Sequence, residues 1–521
     1  MSLGKGVGHL RQLVAVRRGY SLVPDVFVAF ESPLDYQSTE KLGDRSVTEQ
    51  ATWDPLEAHV SDQEILSSAK KREIKNILKS YVGTYDPMSE LIQNAMDAVE
   101  RRLDQSEAGT YEPKIYIFID LQENSFEVVD NGVGFRQAEF RAFMAPNISF
   151  KGGQKTRGNK GVGATYIAYG FNHLELRTKS PEFSFNGILK DGRKWVDDVQ
   201  GAVTRPKVHE IGEISEIFES VDRGTSFKIR FGGPGTRPAS LKWYGATSPG
   251  QWLYLLLLKT PLGHISLPGL GPAKIKFDVI VRSADGVCSR LDDQPAMYKW
   301  PHHEIHASRR IADIVKMQIE AAQKGKDPST AVDKFRGSNG VYEIFNADDL
   351  DAMRNLSPEE KLLLKSVNLS AYGYFVYSTS VWDQLNDVKA KLRKSYRVLK
   401  GGLHLANNGM VQGDAITIPL TKSTGHQNQA HVVVHFEGAD PDLGRKGFQP
   451  ELRDLAEKVS VYVVGRLAAR RDLLKSDSGA KPEIEKLKAV HEWIRDQEAH
   501  ERENPLVYLM RISSCLLEGS P

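Results

Sequence analysis

The stretch DPMSELIQNAMDAVERRL at residues 86–103 decides the fold, because it opens with aspartate and proline and then repeats apolar residues at helical spacing. An aspartate cap followed by proline at the first helical position is typical of a helix start. Glu90, Asn94 and Asp97 fall at i, i+4 and i+7 and therefore share one face of this helix. A solvated helix face often carries such residues, but here the polar triplet adjoins the apolar side instead of lying opposite it.

A first glycine turn follows this helix along the chain. The strand-like run SFEVVD at residues 125–130 ends in Asp130 and is followed by Gly132 and Gly134. Glycine permits positive φ and close approach of the backbone. A planar ring can therefore lie against the turn while Asp130 accepts a hydrogen bond from an exocyclic amine. Asp-Asn-Gly is also common in ordinary turns, so this motif alone is only moderately specific.

A second glycine turn lies in RGNKGVGATYIAYGF at residues 157–171, where Gly158, Gly161 and Gly163 precede an apolar helix. Backbone N–H groups at a helix N-terminus form an anion site, and Lys151 is one of several nearby basic residues suited to a triphosphate. The spacing G-x-x-G-x-G matches neither the dinucleotide fingerprint nor the phosphate loop of P-loop proteins.

In this order, the acid-x-x-x-Asn helix, the D-x-G-x-G strand end, the G-x-x-G-x-G turn and a strand that starts Gly-Thr at Thr225 resemble the GHKL ATPase superfamily. That group includes gyrase B, MutL, the ninety-kilodalton heat-shock chaperones, the MORC proteins and sensor histidine kinases. The resemblance covers about residues 81–231 and is strongest to MORC and MutL proteins. It implies an α+β protein whose ATP-binding domain is a Bergerat-type α/β sandwich.

The resemblance also implies a role for each matched position. Glu90 is expected to be the general base that activates the attacking water, and Asn94 is expected to coordinate Mg²⁺, which takes few protein ligands beside phosphates. Asp130 is expected to bind the adenine amine, with Thr225 beside it. The other expected ATP-binding positions are Asp97, Gly132, Gly134, Lys151, Gly158, Gly161 and Gly163. Histidine kinases lack a hydrolytic glutamate here and carry a phosphoacceptor histidine upstream, where residues 65–82 have none, so a kinase is disfavoured.

The second half of the chain carries a possible catalytic lysine. Residues 431–459, HVVVHFEGADPDLGRKGFQPELRDLAEKV, predict a strand, a loop with a basic pair and a helix. This order is similar to the transducer element of MutL and MORC proteins, in which a lysine reaches the γ-phosphate. Lys446 is the matching residue and would offset phosphate charge during transfer. A solvated loop lysine is the alternative.

The pattern predicts four parts along the chain. They are an N-terminal arm or cap (1–55), the ATP-binding domain (56–240), a transducer-like α/β domain (241–460) with a polar, helical insert at 308–365, and a helical C-terminal segment (461–521). The last part contains a charged helix whose apolar stripe predicts a site for a protein partner or for dimerisation.

Charge and composition limit the partners. Lys+Arg 69 against Asp+Glu 67 leaves no global field to attract nucleic acid. A run of six basic residues without an acid at 389–400 is either a DNA-binding patch or a solvated helix face. The cluster HHEIH at 302–306 is either a metal site or, more simply, a partly exposed loop.

Two further counts bear on the compartment. The two cysteines are too few for a disulfide framework. The longest apolar run, within QWLYLLLLK, is far short of the roughly 20 residues that a membrane span requires. We therefore expect a cytoplasmic protein without a membrane partner.

The resemblance to GHKL ATPases implies Mg²⁺-dependent hydrolysis of ATP to ADP and phosphate. The resemblance to MORC and MutL proteins implies that ATP binding favours a homodimer, which would act as a nucleotide-gated clamp with DNA as one candidate client. The rival is a protein that uses ATP as a switch without hydrolysing it, or a chaperone that acts on a protein client.

Overall fold

The computed structural model describes residues 63–475, apart from 147–161, 214, 268–270, 272, 395 and 440–447. Two β-sheets and the helices packed against them make up this part of the chain, which confirms the α+β class. The predicted arm at 1–55 and the C-terminal helix after 475 lie outside the described residues. None of the described helices is long and apolar enough to cross a membrane.

The first sheet has eight strands in the order β5-β4-β3-β6-β2-β1-β7-β8. Its strands are β1 Lys114–Asp120, β2 Ser125–Asp130, β3 His173–Lys179, β4 Ser184–Lys190, β5 Val208–Glu210, β6 Gly224–Arg230, β7 Lys276–Arg282 and β8 Cys288–Pro295. All neighbours are antiparallel except β1 and β7, which run parallel. The alternation predicted for β1 is confirmed, since Ile115, Ile117 and Ile119 are fully buried.

Helices cover one face of this sheet and form its core with it. They are α1 Gln63–Ser80, α2 Asp86–Gln105, α3 Gln137–Ala142, α4 Gly163–Tyr169, α5 Gly192–Asp197, α6 Glu216–Glu219 and α7 Pro249–Lys259. The core cluster includes Ile92 and Met96 of α2, Ile167 of α4 and Leu255 of α7. The short α6 instead packs Phe218 against Val129 of β2, which belongs to a separate small cluster.

The second sheet has six strands in the order β13-β12-β14-β11-β10-β9. They are β9 Ser308–Arg310, β10 Gly340–Phe345, β11 Ser370–Val376, β12 Gly402–Asn407, β13 Met410–Ile416 and β14 Ala430–Phe436. Its helices are α8 Pro301–Glu304, α9 Ile311–Gln323, α10 Thr330–Asp333, α11 Ala347–Asp351, α12 Pro358–Ser366, α13 Ser380–Asp383, α14 His426–Gln429 and α15 Pro450–Ala468. Gly373 of β11 lets α15 approach closely, because a Cβ there would overlap Val463 and lie 2.7 Å from Leu467.

Two predicted divisions differ from the structure. The strands β7 and β8 belong to the first sheet, so the division between the sheets falls after Pro295 and not at residue 240. The parallel pairing of β7 with β1 explains this, because a parallel neighbour arrives through a long crossover and leaves no local sequence signal. The insert at 308–365 is not purely helical, since it supplies β9 and β10 to the second sheet.

Candidate functional site

The start of α2 is fixed by contacts with its preceding turn and with more distant segments. The Asp86 carboxylate accepts a hydrogen bond from the backbone N–H of Gly83 (2.7 Å), and the Tyr244 hydroxyl donates to the carbonyl of Thr84 (2.5 Å). The predicted cap is therefore wrong in detail, because Asp86 is already helical and closes the turn before the helix. Ser89 donates to the carbonyl of Lys259 (3.3 Å) and so links α2 to the end of α7.

The polar face of α2 is directed into the protein. Glu90 and Asp97 are 4% and 3% exposed, whereas Asn94 between them is half-buried. Charged side chains are rarely buried to this extent unless neighbouring groups stabilise them. Because Glu90 and Asp97 are buried, this face of α2 is not a solvated surface. Their burial agrees with the predicted polar face that adjoins the apolar side of the helix.

Glu90 lies against the residues that precede α2 and begin α4. The Tyr81 hydroxyl donates a hydrogen bond to Glu90 Oε1 (3.3 Å). At Gly163, the first residue of α4, a Cβ would overlap Oε2 of the same carboxylate. A side chain at Gly163 would displace the Glu90 carboxylate, so the structure places these two predicted residues in contact.

The turn after β2 packs against the other end of the polar face. The Gly132 N–H donates to Asp130 Oδ1 (2.8 Å), and the Val133 N–H donates to the carbonyl of Ala98 on α2 (3.3 Å). A Cβ on Gly132 would lie 2.6 to 2.7 Å from backbone and side-chain atoms of Ala98. Only glycine lets the turn approach the helix this closely.

Asp130 is buried at the junction of β2 and β6. It lies opposite Thr225 in the antiparallel register, as the sequence predicts. Gly224 has φ +149°, and a Cβ there would overlap the Asp130 carbonyl. Burial raises the pKa of Asp130 from 3.8 to about 7, although backbone hydrogen bonds from Gly132 and Thr225 oppose the rise. Such a shift is common at functional sites and is also found in structural networks.

The second glycine of the turn after β2 packs against β3. Gly134 has φ +64°, and a Cβ there would overlap the carbonyl of Lys179. Just after it, the Phe135 N–H donates to Thr178 Oγ1 (2.9 Å). Thr178 lies opposite Thr225 on the neighbouring strand. Two threonines therefore stand side by side near Asp130, and the sequence analysis named only one of them.

Arg102 near the end of α2 is a further residue that the sequence analysis missed. Its guanidinium donates to the carbonyl of Asn131 (2.7 Å), pairs with Asp222 (3.3 Å) and lies over the ring of Tyr111. These contacts bind the end of the helix to the turn between Asp130 and Gly132. Arg102 lies one helical turn beyond Ala98, and this spacing was the only available signal.

The residues at this site fit a Mg²⁺ ion that is bound partly by the protein and partly by the phosphates of a substrate. Asn94 supplies an amide oxygen on the half-buried part of the polar face, one turn after Glu90. Within the described ranges, no three or more His, Cys, Asp or Glu side chains are grouped so that they could hold a metal. This donor set suits Mg²⁺, which prefers oxygen ligands and binds through one or two side chains, waters and substrate phosphates.

Four predicted positions cannot be placed against this geometry. Lys151, Gly158 and Gly161 fall in 147–161, and Lys446 falls in 440–447, so all four lie outside the described residues. The strand and the helix predicted on either side of Lys446 are confirmed as β14 and α15.

The basic run at 389–400 is not a helix face. It follows a short π-helical turn, Gln384–Lys389, and continues as a loop. Lys389 pairs with Glu304 (2.6 Å) and Arg397 pairs with Asp383 (2.6 Å). Arg393 lies over the Trp243 ring. Half of the six basic groups are thus engaged within the protein.

The histidine cluster at 302–306 packs instead of converging on a metal. The His302 ring stacks on Tyr342 (4.1 Å between centroids), and its Nδ1 is 2.9 Å from the Tyr372 hydroxyl. His303 and His306 are exposed. This arrangement fits the simpler of the two predictions for residues 302–306, a partly exposed segment.

A comparison of the sequence with protein-family models and with curated proteins finds no match in either case.

Proposed function

We propose that the protein binds Mg²⁺·ATP along the polar face of α2 and hydrolyses it to ADP and phosphate, as a GHKL-type ATPase. One observation carries the proposal: the helix α2 contacts the glycine turn after β2 at one point and Gly163 at another, and a buried carboxylate lies at each contact. Ala98 touches the turn at Asp130, and Glu90 touches Gly163. These points are eight residues apart, about 12 Å at 1.5 Å per residue. This is of the order of the distance from an adenine ring to a terminal phosphate.

The Asp130 end suits a base. Asp130 in its ionised form would accept a hydrogen bond from the adenine amine, and Gly132 and Gly134 shape the turn that holds it. Thr178 and Thr225 add hydroxyl groups beside it. Asp97 would lie between the adenine ring and Asn94, the proposed metal ligand. Asn94 is about one helical turn before Asp97 on α2.

The Glu90 end suits the chemistry. A buried carboxylate held in one orientation can take a proton from a water molecule as the water attacks the γ-phosphorus. The bond to the bridging oxygen then breaks and ADP leaves. Asn94 would hold Mg²⁺, which when bound offsets phosphate charge. Lys151, Gly158, Gly161 and Lys446, which lie outside the described residues, remain the phosphate contacts that the resemblance implies.

The proposal includes an ATP-gated homodimer in the cytoplasm. The basis is the resemblance to MORC and MutL proteins, together with the contact between the two regions near the site. The Tyr396 hydroxyl donates to Tyr85, which directly precedes α2 (3.0 Å). A movement of the loop at 389–400 would therefore be felt at the start of the catalytic helix.

The test is phosphate release by wild-type protein, Glu90→Gln and the matched control Asp104→Asn, which changes an exposed acid on the same helix. We expect Glu90→Gln to bind ATP with wild-type affinity and to lose at least 100-fold in turnover. Light scattering should show this trapped variant as a dimer in ATP and as a monomer without it. Persistent phosphate release by Glu90→Gln would show that Glu90 is not the base. ATP binding without any release by wild type would favour the switch.

A further inference from the structure

Tyr81 contacts the proposed catalytic carboxylate from outside α2. It follows directly after the last residue of α1, Ser80, and is 8% exposed. Its hydroxyl donates to Glu90 Oε1 over 3.3 Å. Nothing in the motifs of the sequence pointed to this residue, which is nine positions before Glu90.

The ring of Tyr81 is itself held in place. It stacks on Tyr166 with 4.0 Å between centroids and 3° between planes. Tyr166 belongs to α4 and lies three residues after Gly163. It also touches Phe171 edge-on (5.9 Å). Parallel stacking between two buried rings leaves the Tyr81 hydroxyl little freedom to move away from the carboxylate.

Both oxygens of Glu90 are thus contacted by groups tied to α4. Oε1 accepts from Tyr81, which stacks on α4, and Oε2 lies against Gly163, at which α4 begins. Nearby negative charge from Glu90 contributes to raising the pKa of Tyr166, although burial is the larger cause. The orientation of the carboxylate therefore depends on where α4 lies.

We propose that Tyr81 is a positioning residue for Glu90, a role that rests on the proposed hydrolysis of ATP. Its hydroxyl fixes the carboxylate rotamer, so that the oxygen facing substrate keeps its direction between turnovers. A hydrogen bond to a carboxylate favours the charged form, so Tyr81 also keeps Glu90 ionised and able to accept a proton.

The test is Tyr81→Phe in the full chain, which removes the hydroxyl and keeps the stacked ring. We expect kcat for ATP hydrolysis to fall about tenfold, the size of one hydrogen bond to a charged group, while KM and ATP affinity stay unchanged. The acid limb of the kcat profile should move to higher pH, because Glu90 loses a donor that favours its charged form.

Two variants separate positioning from folding. Tyr254→Phe is the matched control, since Tyr254 is buried and its hydroxyl has no hydrogen-bond partner among the described residues, and it should leave kcat unchanged. Tyr81→Leu removes the stack as well and should lower the melting temperature, which Tyr81→Phe should not. The inference is wrong if Tyr81→Phe has as low a melting temperature as Tyr81→Leu, because the hydroxyl then acts on the fold. It is also wrong if Tyr81→Phe loses activity while the pH dependence of kcat stays unchanged.

The remaining outcomes distinguish this inference from the proposed function. If wild type hydrolyses ATP and Glu90→Gln does not, but Tyr81→Phe behaves like wild type, the role of Tyr81 alone is overturned. If wild type releases no phosphate, both proposals are overturned.

Discussion

The two regions of the molecule bury polar side chains for different reasons. In the first region the buried polar groups include the acids Glu90, Asp97 and Asp130, on α2 and at the end of β2. In the second region they include histidines on β12 and β14, and two of these, His431 and His435, are fully buried. Burial of a polar group is therefore common to both regions and by itself identifies no site.

The surroundings of these groups are what distinguishes the regions. His431 Nδ1 lies 2.8 Å from the carbonyl of Lys400, and the Gly409 N–H donates to His435 Nε2 (2.8 Å). Burial lowers the pKa of both histidines to about 4, so they stay neutral near pH 7 and act as packing groups. Of the acids, Glu90 instead has its carboxylate against Gly163, where a Cβ would overlap Oε2. Clearance beside a buried charge is the better sign of a ligand site.

The largest expected effect comes from filling that clearance. Gly163→Ala places a methyl group on Glu90 Oε2 and must displace the carboxylate. A misplaced catalytic group costs about 100-fold in rate, so we expect ATP turnover to fall by at least this factor. Phosphate release under saturating ATP is the measurement.

Gly250→Ala is the matched control for this prediction. Gly250 lies in the first turn of α7, where a Cβ meets nothing within 4 Å. Alanine there should leave turnover unchanged and slightly favour the helix. Equal activity of Gly163→Ala and Gly250→Ala would remove the argument from clearance.

An effect of intermediate size is expected on ATP affinity when the pH is changed. Asp130 has a pKa of about 7, and its ionised form is the stronger acceptor for the adenine amine. The ionised fraction is about one in ten at pH 6 and about nine in ten at pH 8, so ATP affinity should rise by up to about tenfold over this range. His431 and His435, with pKa values of about 4, stay neutral throughout and add nothing.

Calorimetric titration of ATP at pH 6, 7 and 8 measures this dependence. Asp130→Asn should bind weakly at every pH, and the exposed control Asp104→Asn should keep the wild-type slope. The same shift makes a prediction for stability. Because its folded pKa lies above 3.8, Asp130 contributes stability that is present below pH 3.8 and is lost as pH rises through about 7. A wild-type affinity independent of pH would contradict the assigned role of Asp130.

The smallest effect is expected in the second region, at the basic run. Lys391 and Lys394 are exposed, whereas Lys389 and Arg397 are already paired with acids. If DNA is a client, Lys391→Ala with Lys394→Ala should weaken DNA binding only a few-fold and lower its salt dependence by about two charges. Fluorescence anisotropy at several salt concentrations checks this. Unchanged DNA binding in the double variant would exclude the run as the contact.

Features that depend on local sequence could be predicted, and features that depend on long-range contacts could not. The α2 face and the Asp130 turn could be predicted because each depends on local spacing along one element, whereas the place of Thr225 opposite Asp130 came from the resemblance to GHKL proteins. The parallel pairing of β7 with β1 and the contact of Tyr81 with Glu90 could not, since they join residues that only the folded chain brings together. For the basic run, the alternative of a solvated helix face is wrong, because the charge pattern reveals neither the loop that follows Lys389 nor the acids that pair with Lys389 and Arg397.

The most direct test of the central claim is the calorimetric titration of Mg²⁺·ATP into wild type and Asp130→Ala at pH 8. We predict saturable binding of one nucleotide per wild-type chain and at least tenfold weaker binding by the variant. No saturable binding by wild type, or equal dissociation constants for the two proteins, would contradict an ATP site between α2 and the turn after β2.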